Sequence, residues 1–320
     1  MLVRLIATGF LAALLLSANT PAQEAAPDAD SRPDRGTTVA DEEVIVRGQR
    51  LSEIEFDLRL YIQRFIAEVA APARARGFAR WHRSVCVGVH NLRNDLAQYI
   101  VDRISTAALD VGLETGEPGC RPQINIVFAS DGQQLAANMV EREPRVFRPV
   151  AGNAGMDLGL EALDDFVESQ RPVRWWDVSV PIAAHTGQVA IEPWNVSCPR
   201  LHCFPWIPVA GPSRLHSGIR DDLQYVIVIV DATAMQGTTW QQLADYLTVV
   251  SLAQIDPKTN PEEFDTILNL FSNPAAYSGL TDWDVSYLRA LYTFPQERIR
   301  QIQGNEIVNR IARQELAASE

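Results

Sequence analysis

Apolar positions recur along the chain at two spacings, and one stretch carries them on every side. In Trp240–Gln254, Leu243, Ala244, Tyr246, Leu247, Val249, Val250, Leu252 and Ala253 fall all round a 3.6-residue turn. That pattern predicts a helix buried within the fold, not one lying on its surface. Thr238 or Thr239 can cap its start, and Ile255–Pro257 stops it. Leu51–Ala70 is a second helix, with Ile54, Leu58, Tyr61, Phe65, Ile66 and Val69 at helical spacing, Ser52 as cap and Pro72 beyond its end. A third, Asp95–Val111, sets Ile100, Ile104, Ala108 and Val111 on one side. Two β-rich runs bracket it, Trp81–Asn91 and Gln123–Ser130, so this region reads as a β–α–β unit with parallel strands.

The middle of the chain is irregular. Leu135–Arg142 and Leu158–Glu168 have helical spacing, and Val173–Pro181 reads as a strand. Trp194–Pro212 is dense in Pro, Trp and Cys and is expected to be an exposed, stapled loop. Leu215–Ile219 and Tyr225–Asp231 read as two strands forming a hairpin or adjacent pair; the second is continuously apolar, which places it in the centre of a sheet. Thr281 caps a further helix: its hydroxyl accepts from the amide of Asp284, and Asp282 and Asp284 suit the positive end of the helix dipole. Pro295–Leu316 forms the last helix, interrupted near Gly304.

The N-terminus changes the picture. A short basic start, the apolar run Leu5–Leu16 and the small residues to Ala22 have the form of a secretory signal peptide, residues 1–22. The apolar run is shorter than the ~20 residues that a membrane span needs, and no later segment is apolar enough to cross a membrane. Residues 23–50 read as a disordered acidic linker. Its end, Glu42–Arg50, resembles the segment that opens the plug of TonB-dependent outer-membrane receptors, but is read here as a short β-prone strip. Residues 51–320 make one domain, and the location expected is periplasmic or secreted.

Export makes the four cysteines interpretable, since an even count in an oxidising compartment favours disulfides over thiol chemistry. Three pairings are possible. Cys198–Cys203 closes a short loop, and Cys86–Cys120 joins the two strands of the β–α–β unit, so this pairing is favoured. A net charge of −12 argues against a nucleic-acid partner bound through a broad basic face. No nucleophile elbow, phosphate loop or dinucleotide fingerprint occurs, and no two of His82, His90, His185, His202 and His216 stand four residues apart.

The order of elements in Thr239–Tyr292 (buried helix, tight exit, Thr266–Leu270 turn, and the capped Leu280–Tyr292 helix, LTDWDVSYLRALY) resembles the C-terminal half of metzincin-like, zincin-fold metalloproteases. It is also similar to the bacterial family DUF2927. The resemblance implies an α+β fold of zincin-like type, a mixed sheet with a buried central helix and C-terminal helices. The family carries H-E-x-x-H-x-x-G-x-x-H/D on and after the buried helix. Aligned there, Tyr246 and Val250 replace the first two zinc histidines, Leu247 the general-base Glu and Ala253 the Gly, while Asp256 takes the third ligand position and Leu268 that of the Met-turn methionine. Catalytic zinc takes three protein ligands, and one carboxylate does not supply them. The resemblance therefore implies a protein without metal, cofactor or catalytic residues: a non-catalytic module holding an envelope protein, peptide or glycan in the former cleft, near Tyr246 and Asp256. Trp175 and Trp176, with Trp194 and Trp206, could add an aromatic platform there or cover a sheet face as core. The alternative is a hydrolase with an unconventional active site in that cleft.

Overall fold

The computed structural model describes residues 39–72, 76–148, 158–190 and 216–318. The signal peptide, the first part of the linker, and the loop holding Trp194, Cys198, His202, Cys203 and Trp206 lie outside the described residues. Residues 49–320 form one unit.

The chain enters through α1 (Val39–Val69). The Glu42–Arg50 strip is thus helical backbone, where the sequence suggested a β-prone end to a disordered linker. Helix propagation adds a bond per residue once a nucleus exists, and the amphipathic segment from Ile54 onward supplies that nucleus. Gly48 costs only ~1 kcal/mol within it.

Two short strands, β1 (Ser84–Val85) and β2 (Val87–His90), precede α2 (Asn94–Asp110). Next come β3 (Glu114–Thr115) and β4 (Ile124–Ala129). β2 and β4 pair in parallel around α2, as the β–α–β reading requires, and β1 pairs with β3 beside them. Three helices follow, α3 (Gly132–Arg142), α4 (Pro144–Phe147) and α5 (Leu160–Glu168). The sheet is completed by β5 (Val173–Ala183) and β6 (Ile219–Asp231), in the order β2-β4-β6-β5 with β5 antiparallel. The chain is therefore α+β with a mixed sheet.

β6 is one thirteen-residue strand, not the predicted pair. The polar run Arg220-Asp221-Asp222 imitates a turn, but it is buried and ion-paired: Arg76 donates to Asp221 at 2.5 Å and Arg220 to Asp222 at 2.9 Å. The pairing with β5 skips one residue, from Val178↔Tyr225 to Ser179↔Leu223, which leaves Gln224 as an exposed bulge residue.

Alternation sorts the sheet residues between two cores. Ile124, Ile126, Val226, Val228 and Trp175 face α2 and the C-terminal helices. Trp176, Val178, Ile227 and Ile229 face α3, α4 and α5. On the first face lies α6 (Trp240–Leu252), every residue from Gln242 to Leu252 buried; of the two candidate caps Thr239 takes the position, completed by Gln242 as a capping box. α7 (Asp282–Thr293) and α8 (Arg300–Ala318) close the chain. α8 continues through Gly304, where an added Cβ would come no nearer than 3.8 Å to any other group. Among the described residues no helix is long and apolar enough to cross a membrane.

Candidate functional site

The positions aligned with a zinc centre are packed into the first core. Leu247 and Val250 are fully buried, and Tyr246 is 6% exposed. Its ring stands edge-on to Phe271 at 4.9 Å and to Trp175 at 6.2 Å, and burial pushes its phenol far above the ordinary tyrosine range. Trp175 is equally committed, its indole N–H donating to the carbonyl of Ile255 at 3.0 Å. Trp176, the next residue along the strand, points to the opposite core, where it donates to the Phe147 carbonyl at 2.8 Å and meets Phe166 at 5.9 Å. An aromatic platform shared by the two is therefore absent: successive strand residues face opposite ways. Trp175 and Tyr246 do meet, as core.

Asp256 does not join them as a ligand. Its carboxylate accepts from the amide of Lys258 at 2.9 Å, an Asx-type turn that follows the helix exit, and its own N–H donates to Val69 at 2.8 Å. Half-buried, it borders a small surface cavity of about 210 Å³ with Glu161, Asp165 and Lys258. Of the described histidines, His90 faces Asn125 and His216 faces Arg298. Among the described residues no three His, Cys, Asp or Glu side chains gather to hold a metal ion.

The turn and capped helix that follow are tied by one acid. Asp284, 1% exposed, accepts from the Thr266 hydroxyl at 2.5 Å, the Ile267 amide at 2.9 Å and the Thr281 amide at 3.0 Å. A carboxylate takes several donors at once, so it closes the capping box of α7 and fixes the Thr266–Leu270 turn together. Leu268, buried within that turn, occupies a packing position. A second buried acid, Asp245, joins α6 to α2 through both Nε (2.6 Å) and Nη2 (2.8 Å) of Arg103.

One buried acid has no such role. Asp177, 1% exposed on β5, has no hydrogen-bond partner at either carboxylate oxygen among the described residues. Burial alone pushes its pKa well above the usual carboxylate range.

A large cavity lies on the other face of the sheet. It is a groove of about 1040 Å³ whose floor is the open part of β2, β4 and β6: His90, Asn125, Val127, Tyr225 and Ile227. One wall is the loop stapled by the Cys86–Cys120 disulfide, the pairing expected from the β–α–β unit. The Cys198–Cys203 pairing lies outside the described residues. Gly116 is required in that loop, since an added Cβ would come within 2.5 Å of the Cys120 sulfur; at Gly88, one would come within 2.7 Å of Pro122. The opposite wall is α3 and α4, with Met139, Arg145 and Val146, anchored where the Tyr225 hydroxyl donates to the Val146 carbonyl.

The sequence reading named the Cys86–Cys120 bridge and His90 but did not bring them together as a groove. The signal was present in Gln123–Phe128, where Gln123, Asn125 and Val127 alternate with Ile124, Ile126 and Phe128 in a strand with neighbours on both sides. Polar residues on one face of an interior strand mark a face that no helix covers. No family model, curated protein or solved structure matches the chain.

Proposed function

We propose that this chain is an extracytoplasmic, non-catalytic binding module of zincin-like fold, and that its ligand occupies the groove over β2, β4 and β6. The observation that carries the reading is the packing of α6. Where a zincin needs two imidazoles and a carboxylate facing solvent, this helix turns Tyr246, Leu247 and Val250 into the core. The Cys86–Cys120 disulfide and the signal-peptide pattern support an oxidising compartment, periplasmic or secreted. Envelope peptides, proteins and glycans are the partner classes in reach. The competing reading, a hydrolase in the former cleft, would need a solvent-facing carboxylate or imidazole beside Tyr246, and Asp256 is engaged in its turn.

The test is elemental analysis of the purified chain together with digestion of a broad peptide library, with and without chelator. The expected result is zinc far below one ion per chain and no chelator-sensitive cleavage. Stoichiometric zinc, or cleavage that chelator abolishes, overturns the reading.

A further inference from the structure

We propose that the groove binds short peptides through their carboxylate groups, an inference that rests on the binding-module reading above. The chain is strongly acidic, with 40 Asp and Glu against 28 Lys and Arg. Yet the described lining of the groove holds Arg121, Arg145 and His90 and no carboxylate. A wall of one sign in a protein of the other focuses field on a ligand of opposite charge. Both guanidiniums are exposed, and neither forms an ion pair among the described residues. Arg121 follows Cys120 in the stapled loop on the β2 side, and Arg145 stands on α4, which packs over β6. The floor therefore runs between two planar forks, each able to take a carboxylate bidentately.

The floor itself selects among anions. Gln123 just before β4, Asn125 on β4 and the bulge residue Gln224 on β6 line the groove with side-chain amides, the Oε1 of Gln123 accepting from the Cys86 amide at 3.2 Å. A primary amide carries both donor and acceptor, the complement of a peptide unit. Re-aiming a side chain is a regular use of a bulge beside a site. Val127, Ile227 and Met139 supply apolar contact between them. The volume, about 1040 Å³, is at the upper end of small-ligand sites and accommodates several residues. A sugar would be expected to stack on an exposed aromatic face. The described lining holds a single tyrosine, Tyr225, and neither tryptophan nor phenylalanine.

Isothermal titration of the full mature chain with pooled pentapeptides Ala-Glu-Xaa-Glu-Ala tests the assignment. The controls are the same pool with Gln for Glu and an amidated C-terminus, and the Arg121→Gln/Arg145→Gln chain. The acidic pool is expected to bind at least tenfold more tightly than the neutral one. The double substitution should abolish that preference while leaving the urea midpoint unchanged, because both arginines are exposed. Equal affinity for the two pools, an unaltered preference in the double variant, or no heat of binding with the acidic pool at millimolar concentration overturns it. So does arginine-dependent binding of a sulfated glycan or anionic vesicles when the peptides fail. Mass spectrometry of the titrated peptides separates the two readings. Cleaved peptide refutes the non-catalytic module, whereas intact peptide with no charge preference refutes only the groove assignment.

Discussion

Replacing Asp284 with alanine isolates the device that holds the C-terminal elements together. The carboxylate is 1% exposed and accepts from the Thr266 hydroxyl, the Thr281 amide and hydroxyl, and the Ile267 amide. Alanine leaves the Thr266 hydroxyl and the Ile267 amide in the core without that acceptor, at about 1–3 kcal/mol each. The capping box is lost as well, at about 1 kcal/mol. Water can reach the half-buried Thr281 and offset part of this, so the expected loss is roughly 3–5 kcal/mol, a large fraction of the ~5–15 kcal/mol that holds a domain folded. Asparagine separates shape from charge. Its Oδ1 can keep the two amides, and its Nδ2 can donate to the Thr266 hydroxyl, which then reverses its role, so Asp284→Asn should cost only about 1–2 kcal/mol. Urea unfolding of the oxidised protein, followed by circular dichroism and tryptophan fluorescence, measures both. A loss below about 1 kcal/mol for the alanine variant, or equal losses for the two, refutes the claim that donor satisfaction explains this acid.

Asp177 carries a pH dependence of definite sign. Its pKa is raised in the folded chain by burial, with no opposing charge. The folded state therefore holds the proton more tightly than the unfolded chain. Stability from this group is complete below the ordinary aspartate range and is lost as pH rises from that range toward the raised folded value. Asp177→Asn should remove the loss, so the variant gains thermal stability over the parent at pH 8 and not at pH 4; an equal difference at both refutes the assignment. The Cys86–Cys120 bridge spans a sequence separation of 34. By the loop-entropy relation, Cys86→Ser/Cys120→Ser should cost about 4 kcal/mol in urea unfolding. It should also weaken peptide binding, since the bridge forms a wall of the groove. Unchanged affinity in a folded variant would argue that the wall is set by Pro122 and Gly88 instead.

Most of the architecture was legible because its signals are local. Local signals located α2, α6 and α7 to within a residue or two; Thr281 caps α7 as expected, and of the two candidates Thr238 and Thr239 it is Thr239 that caps α6, since capping chemistry is written within four residues. The β–α–β unit gave both the parallel pairing and the disulfide. The error at β6 has a physical cause, polar residues satisfied at long range. Arg220, Asp221 and Asp222 look like a turn until Arg76, 145 residues distant from Asp221, is brought beside it. Local composition has no access to that partner.

The residues named for a site are placed by a different logic. The alignment places Tyr246, Asp256, Trp175 and Trp176 near a cleft because, in the fold it resembles, helix and cleft are joined by metal. On this chain's α6, Leu247 and Val250 stand at the aligned positions, fully buried, as an apolar surface. Burying a tyrosine or tryptophan ring stabilises the fold by a few kcal/mol, so Trp175 and Tyr246 close over it. The opposite sheet face follows the reverse logic. Asn125, His90 and Gln224 cannot be covered by an apolar helix without losing their hydration. That part of the floor consequently stays open, and the polar side chains of β2, β4 and β6 become the feature that a ligand can use. If the Arg121/Arg145 variant loses peptide while Tyr246→Phe keeps it, recognition in this chain lies across the sheet from the helix that the resemblance points to.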